Sequence, residues 1–132
     1  MVDEQQLKKH QVEGSYSFDG MIYPLNTCFG DSQYIAANLE TPVTGSYGDL
    51  TDSPAQFNSP EELLDAISES SINIVSTANN HCLDRGVDGL KRTLKMIKKK
   101  RLINIGTHLK KNEDHYLILD DGKVRVGILS FT

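Results

Sequence analysis

Three side chains in this 132-residue sequence have types suited to hydrolytic chemistry: Glu40 in "ANLETP", and Asn80 with His81 in "STANNHCLD". A carboxylate can bridge two cations, and an amide oxygen adds a ligand without adding charge. A neighbouring imidazole can ligate a metal or give a proton to a leaving group. Hydrolysis of phosphate esters by paired metal ions uses such parts. Asp84 follows His81 by three residues, close enough to orient the imidazole or to cap the next helix. The same residue types permit a plainer account. Asn79, Asn80 and Asp84 suit turns and helix N-caps, and Glu40 before Thr41-Pro42 suits an exposed strand end. What favours a site is that both clusters fall at the ends of neighbouring expected strands.

The other reactive side chains point to no chemistry. Cys82 beside His81 would need a convergent geometry to act as a nucleophile, and neighbours on a turn point apart. Cys28, in "NTCFGD", has no basic partner and reads as packing; both cysteines read as free thiols. His10, His108 and His115 are dispersed and read as surface or strand-edge residues. "GSYGD", residues 45–49, has no helix signature after it and is not a phosphate loop.

The elements that must position the candidates can be read from pattern. A short helix is expected near residues 3–11 and a strand over "YIAANLE", 34–40. Residues 41–58, rich in Pro, Gly, Ser, Thr and Asp, read as a long functional or mobile loop. In "SPEELLDAISES" Ser59 fits an N-cap, Pro60 the first helical position and Glu62 the return of a capping box. "INIVSTA", 72–78, reads as a buried strand. Val87, Leu90, Leu94 and Ile97 recur at helical spacing and predict a helix from Gly86 to Lys100. "LINIG", 102–106, predicts a strand closed by glycine, and "HYLILDDGKVRVGILSF" a hairpin turning at Asp121-Gly122. Alternation of this kind predicts an α/β fold with right-handed crossovers. Ligands of open α/β sheets gather at the carboxyl ends of the strands, where "NLE" and "NNH" both fall.

Bulk composition narrows the class. Charged residues make up 24% and apolar ones 38%, within the range of a single soluble domain. The net charge of −4 argues against a general nucleic-acid binder, which needs a basic face. The run Lys98-Lys99-Lys100-Arg101 reads as a solvated helix C-terminus, where cations suit the dipole. No apolar run reaches the roughly 18 residues of a membrane span. The opening "MVDEQQLKKHQVEG" reads as a cut into a longer protein, so any membrane contact is expected through segments outside this chain.

With "ANLETPVTG", "SPEELLDAI", "NIVSTANNHCLDRGVDGLKRTLKMI" and a strand ending in "NIG", the sequence resembles the CapA family of bacterial capsule synthesis proteins. These are the poly-γ-glutamate capsule proteins, similar in fold to the calcineurin-like metallophosphoesterases. The resemblance runs from about Tyr34 to Thr132, with residues 1–33 a lead-in to one partial domain. It implies an α/β fold that is part of a four-layer α/β/β/α metallophosphatase-like sandwich. By similarity, Glu40 takes the place of a metal-bridging acid and Asn80 is a metal ligand. His81 is the acid or orienting group beside the scissile bond, and Asp84 supports its loop.

The departures from the family pattern carry equal information. The Gly-Asp motif expected to end an earlier strand is missing; Gly30-Asp31 lies too close to "NLE" and follows no apolar run. The downstream Gly-His-x-x-His segment is also missing from this sequence. The expectation is therefore a divalent-metal site (Mn, Zn or Fe) in the full-length protein, with a partial shell or no metal in this chain. The resemblance implies a metal-dependent, phosphoesterase-like hydrolase of the cell envelope or extracellular face, acting on a capsule polymer or precursor. The alternative is a non-catalytic assembly, export or tethering role for that polymer. No turnover is expected from this chain alone. Uncovered strand edges and core surface would favour self-association.

Overall fold

The computed structural model describes residues 1–45, 49–50 and 56–132. The lead-in holds α1 (Glu4–Lys9), the short antiparallel pair β1 (Gln11–Val12) and β2 (Ser15–Tyr16), α2 (Asp19–Ile22), a 3₁₀ turn at Tyr23–Leu25 and α3 (Asn26–Phe29). There follow β3 (Ala36–Asn38), α4 (Glu62–Ser68), β4 (Ile74–Ser76), α5 (Gly86–Lys99), β5 (Ile103–Ile105), β6 (Leu117–Asp120) and β7 (Arg125–Ile128). Strands β3, β4 and β5 form a parallel sheet in chain order, and β6 pairs antiparallel with β7. The expected α/β order holds, with each of the three parallel strands shorter than its apolar run.

Alternation along β4 explains the layering. Val75, fully buried, joins the cluster formed with Leu63, Leu64 and Ile67 of α4 and Ile97 of α5. Its neighbour Ile74 points to the opposite face and packs with Ile105 and Leu119 of the hairpin. Ser76, on that same face, is tied to Ser130 by a 2.6 Å hydroxyl contact. Helices therefore cover one face of the sheet and the β6–β7 hairpin the other. Exposed apolar side chains remain on and after the hairpin: Ile118, Val126, Leu129 and Phe131. Its turn is longer than the Asp-Gly pair suggests. Asp120 pairs with Arg125, and the Asp121 carboxylate accepts from the Lys123 and Val124 N–H groups. Those bonds hold the Asp121 carboxyl below its usual range.

The lead-in is part of the core. Val2, Leu7, Phe18 and Ile22 are buried in the same cluster as α4. The capping box expected downstream forms here instead: Asp3 accepts from the Gln6 N–H at 2.8 Å, and the Gln6 side chain accepts from the Asp3 N–H at 3.3 Å. The Tyr23 hydroxyl donates to Glu69 at 2.8 Å, a bond that pushes its pKa up to about 12. Cys28, expected to pack, is exposed, because α3 buries none of its residues.

Ser59 does not cap α4. The residue is fully buried, its N–H donates to the Pro42 carbonyl at 2.8 Å, and its hydroxyl meets that of Thr41 at 3.0 Å. A cap is worth about 1 kcal/mol, whereas a buried hydroxyl without a partner costs roughly 1–3 kcal/mol, so the core contact wins. Glu62, freed of the box, accepts from the Ser15 hydroxyl at 2.7 Å. The described ends of the 41–58 segment are pinned. Val43 N–H donates to the Thr93 hydroxyl at 2.9 Å, and Val43 forms a bridge with Ser59. Most of "GSYGD" lies outside the described residues.

The basic run at the end of α5 divides. Lys99 and Lys100 pair with Glu61, at 2.9 and 3.3 Å, and Lys100 also pairs with Asp65. The hydrogen bond from Lys99 holds the Glu61 carboxyl below its ordinary 4.5, and Asp65 raises Lys100. Because Glu61 is depressed in the fold, its contribution is present above the unfolded value and is lost as pH falls through the folded one. Lys100, being raised, contributes fully below its unfolded value and loses its share as pH rises through the folded one. Lys100→Met is expected to cost about 1 kcal/mol at neutral pH after allowance for solvent screening. Urea unfolding should show the wild-type advantage shrinking towards pH 3.

Candidate functional site

The carboxyl ends of β3 and β4 lie side by side, because Asn38 registers with Ser76. The chain leaves β4 through Thr77 and Ala78 and enters a run of turns over 79–85. Asn79 joins the two strand ends. Its side-chain amide donates to the Asn38 amide oxygen at 3.1 Å and to the Leu39 carbonyl at 3.0 Å. The Asn79 oxygen accepts from the His81 N–H at 3.1 Å, which closes an Asx turn. Asn38 in turn reaches the Glu40 carboxylate at 3.5 Å, the outer limit of a hydrogen bond. The "NLE" and "NNH" clusters thus meet at one rim. The plainer reading was half right: these asparagines do make the turn.

His81 is fixed on two sides. Its Nδ1 lies 2.9 Å from Asp84 Oδ2, and its ring stands edge-on to Phe57 at 4.6 Å between centroids. An ionised carboxylate can only accept, so Nδ1 carries the proton and the Nε2 lone pair of the neutral ring is open. Nε2 meets no described hydrogen-bond partner and is not buried. Asp84 orients the imidazole and does not cap α5, whose N-terminus has no side-chain cap. The same Oδ2 also accepts from the Phe57 N–H at 2.7 Å. Arg85 donates to the Phe57 and Gln56 carbonyls at 3.3 Å, so residues 84–85 clamp that strip of backbone.

Of the residues singled out in sequence, the structure brings Glu40, His81 and Asp84 into this network. Asn80 sits in the same turn, exposed. Cys82 is half-buried and donates its N–H to the Asn79 carbonyl, 3.3 Å away. Asn38, Phe57 and Arg85 were missed, and Asn79 was read as a turn residue without its link to β3. That link could have been found from the place of Asn79 directly after a strand; Phe57 could not, being 24 positions before His81 in an irregular segment.

A divalent cation is tested here by the donors present. The Glu40 carboxylate, the Asn80 amide oxygen and His81 Nε2 are suitable in type. The Asn38 and Asn79 oxygens are already taken by hydrogen bonds. Among the described residues no group of three or more His, Cys, Asp or Glu side chains converges. The three donors suit a divalent cation in type.

Residues 1–132 match the family described as Bacterial capsule synthesis protein PGA_cap. The chain belongs to that family. It is 27% identical over 139 residues to "Capsule biosynthesis protein CapA" of Bacillus anthracis, covering 100% of this chain and 34% of that protein. It is 29% identical over 89 residues to "PGA biosynthesis protein CapA" of Bacillus subtilis (strain 168), covering 67% of this chain and 23% of that protein. The chain thus spans about a third or less of the length of these relatives. The family match takes in the PGA_cap lead-in as well as the segment from Tyr34 onwards. Among the described residues no helix is long and apolar enough to cross a membrane.

Proposed function

We propose that this PGA_cap chain supplies one wall of a metal-dependent, phosphoesterase-like hydrolytic site that acts in the synthesis of a poly-γ-glutamate capsule at the cell envelope. The His81–Asp84 pair carries this reading, with an open Nε2 on the rim that also holds Glu40. A divalent ion bound there would polarise the scissile bond and supply an activated water. The chain's own residues do the rest. Asp84 fixes the imidazole, so that Nε2 faces outward to accept or, once protonated, to donate a proton. Asn79 holds the two strand ends at a set separation, so Glu40 and His81 keep their relation. Phe57 covers one edge of the ring and limits its rotation.

With these three donors alone, the 132-residue chain is expected to show no phosphodiester turnover. A full-length relative carrying the same rim should hydrolyse a generic phosphodiester with Mn²⁺ or Zn²⁺, and replacing the residue equivalent to His81 by alanine should lower kcat by about 100-fold or more. Calorimetry that finds no metal binding to the full-length protein would end the hydrolase reading and leave an assembly or tethering role.

A further inference from the structure

We infer that the outer face of the β6–β7 ribbon is an interface on which a second copy of this chain seats, ribbon against ribbon. The register separates the two faces. Leu117 stands opposite Ile128, and both pack inward with Leu119 against Ile74 and Ile105. Ile118 stands opposite Gly127 on the other face. The alternation runs on past β7. Ser130 turns inward to the Ser76 hydroxyl at 2.6 Å, so Leu129 and Phe131 turn outward with Ile118.

The outer side chains are apolar and open. Leu129 is 62% exposed and Phe131 77%, with Ile118 and the neighbouring Tyr116 half-exposed. A ribbon with one solvated face alternates apolar with polar residues; one that is apolar on both faces is suited to cover on both. Together these four side chains leave roughly 500 Å² open, near the upper end of what a monomer tolerates.

Charge, shape and size select a second copy as the occupant. Within the two strands the charges on this face are Asp120 and Arg125, which pair with each other at 2.8 Å. The face is therefore neutral and offers no free cation to a lipid surface, which a docking patch on anionic membranes requires. A partner with the same neutral, apolar face meets no such mismatch. Gly127 leaves bare backbone in the middle of the patch, where an added Cβ would meet Ile118 Cδ1 at 3.7 Å and nothing else within 4 Å. The face thus holds a notch beside its own knobs, the self-complementarity that a two-fold contact needs. Two such faces together bury roughly 1,000 Å², the size of a weak, reversible dimer, with aromatic rings in it as is common at interfaces. The interface stands whether or not the rim is catalytic.

Sedimentation equilibrium of the 132-residue chain from about 5 to about 500 μM tests this. The average mass should climb from one chain towards two and stop there. Sodium sulfate at about 0.3 M should tighten the dimer, as it does other apolar contacts. Gly127→Lys sets a charge in the middle of the face at a position whose φ is not left-handed, and should raise the dissociation constant about tenfold or more. Phe131→Ser should raise it about fivefold, while Val87→Ser, which removes an exposed apolar side chain from α5, stays within about twofold. All three variants should melt as the wild type does in dilute solution; if Gly127→Lys does not, Phe131→Ser decides. A chain that stays monomeric at the highest concentration, growth beyond the dimer, weakening in sulfate, or a dimer indifferent to the deciding face variant would overturn the interface. Co-sedimentation with anionic vesicles that the face variants abolish would overturn the second copy in favour of a lipid surface.

Discussion

Gly106→Ala is expected to destabilise the chain by about 3 kcal/mol or more. Two effects act together. The φ of +102° is a conformation that side-chain-bearing residues rarely adopt, worth roughly 1–3 kcal/mol. An added Cβ would also lie 2.5 Å from the Ala78 Cβ and 2.8 Å from the Ala78 backbone nitrogen. Backbone cannot swing aside as a flexible side chain would, so the end of β5 must separate from the end of β4. Ala78 leads directly into Asn79 and His81, so the same shift loosens the rim. Urea unfolding should record the loss, and amide exchange should quicken at residues 77–81. A cost below about 1 kcal/mol would show that the two strand ends do not approach as described.

Asp84→Ala should cost about 2–4 kcal/mol, and Asp84→Asn less than half of that. Only 10% of the Asp84 side chain is exposed, and one oxygen serves both the His81 ring and the Phe57 N–H. Alanine leaves two partly buried donors without an acceptor, each a charge-assisted bond lost. An asparagine oxygen at the same place can still accept both and forfeits only the charge. The measurement that separates the cases is protection of the Phe57 amide from hydrogen exchange, lost in the alanine variant and kept in the asparagine one. Equal exchange in both variants would mean that Asp84 does not hold the 56–57 strip against the histidine.

Much of the scaffold was legible because it rests on local periodicity. Spacings of three and four located α5, and the β-branched run around Ile74 and Val75 marked a buried strand. The face that α5 buries was not legible: Gly89, Thr93 and Ile97 are buried, whereas Val87 is 60% exposed and Leu90 and Leu94 are half-buried. Ser59 shows the limit. Its local pattern is that of a cap, but burial against Thr41 outweighs a bond worth about 1 kcal/mol. Asp3 shows the converse, a capping box formed in a segment whose apolar spacing was too sparse to announce a helix face.

By itself, then, the sequence determined the α/β order, the placing of Glu40 and His81 at the ends of adjacent strands, and the net acidity of the chain. Tertiary structure alone decided which asparagine joins those ends, that Asp84 serves histidine and backbone together, and which lysines of the 98–101 run pair with α4 and the residue before it. The division has a physical cause. Periodicity and capping are interactions among residues a few positions apart, written into the local order of types. A hydrogen bond from Asn79 to Leu39, or from Phe57 to Asp84, exists only after distant segments have been packed together, and no local pattern encodes which of several equivalent partners will be within reach.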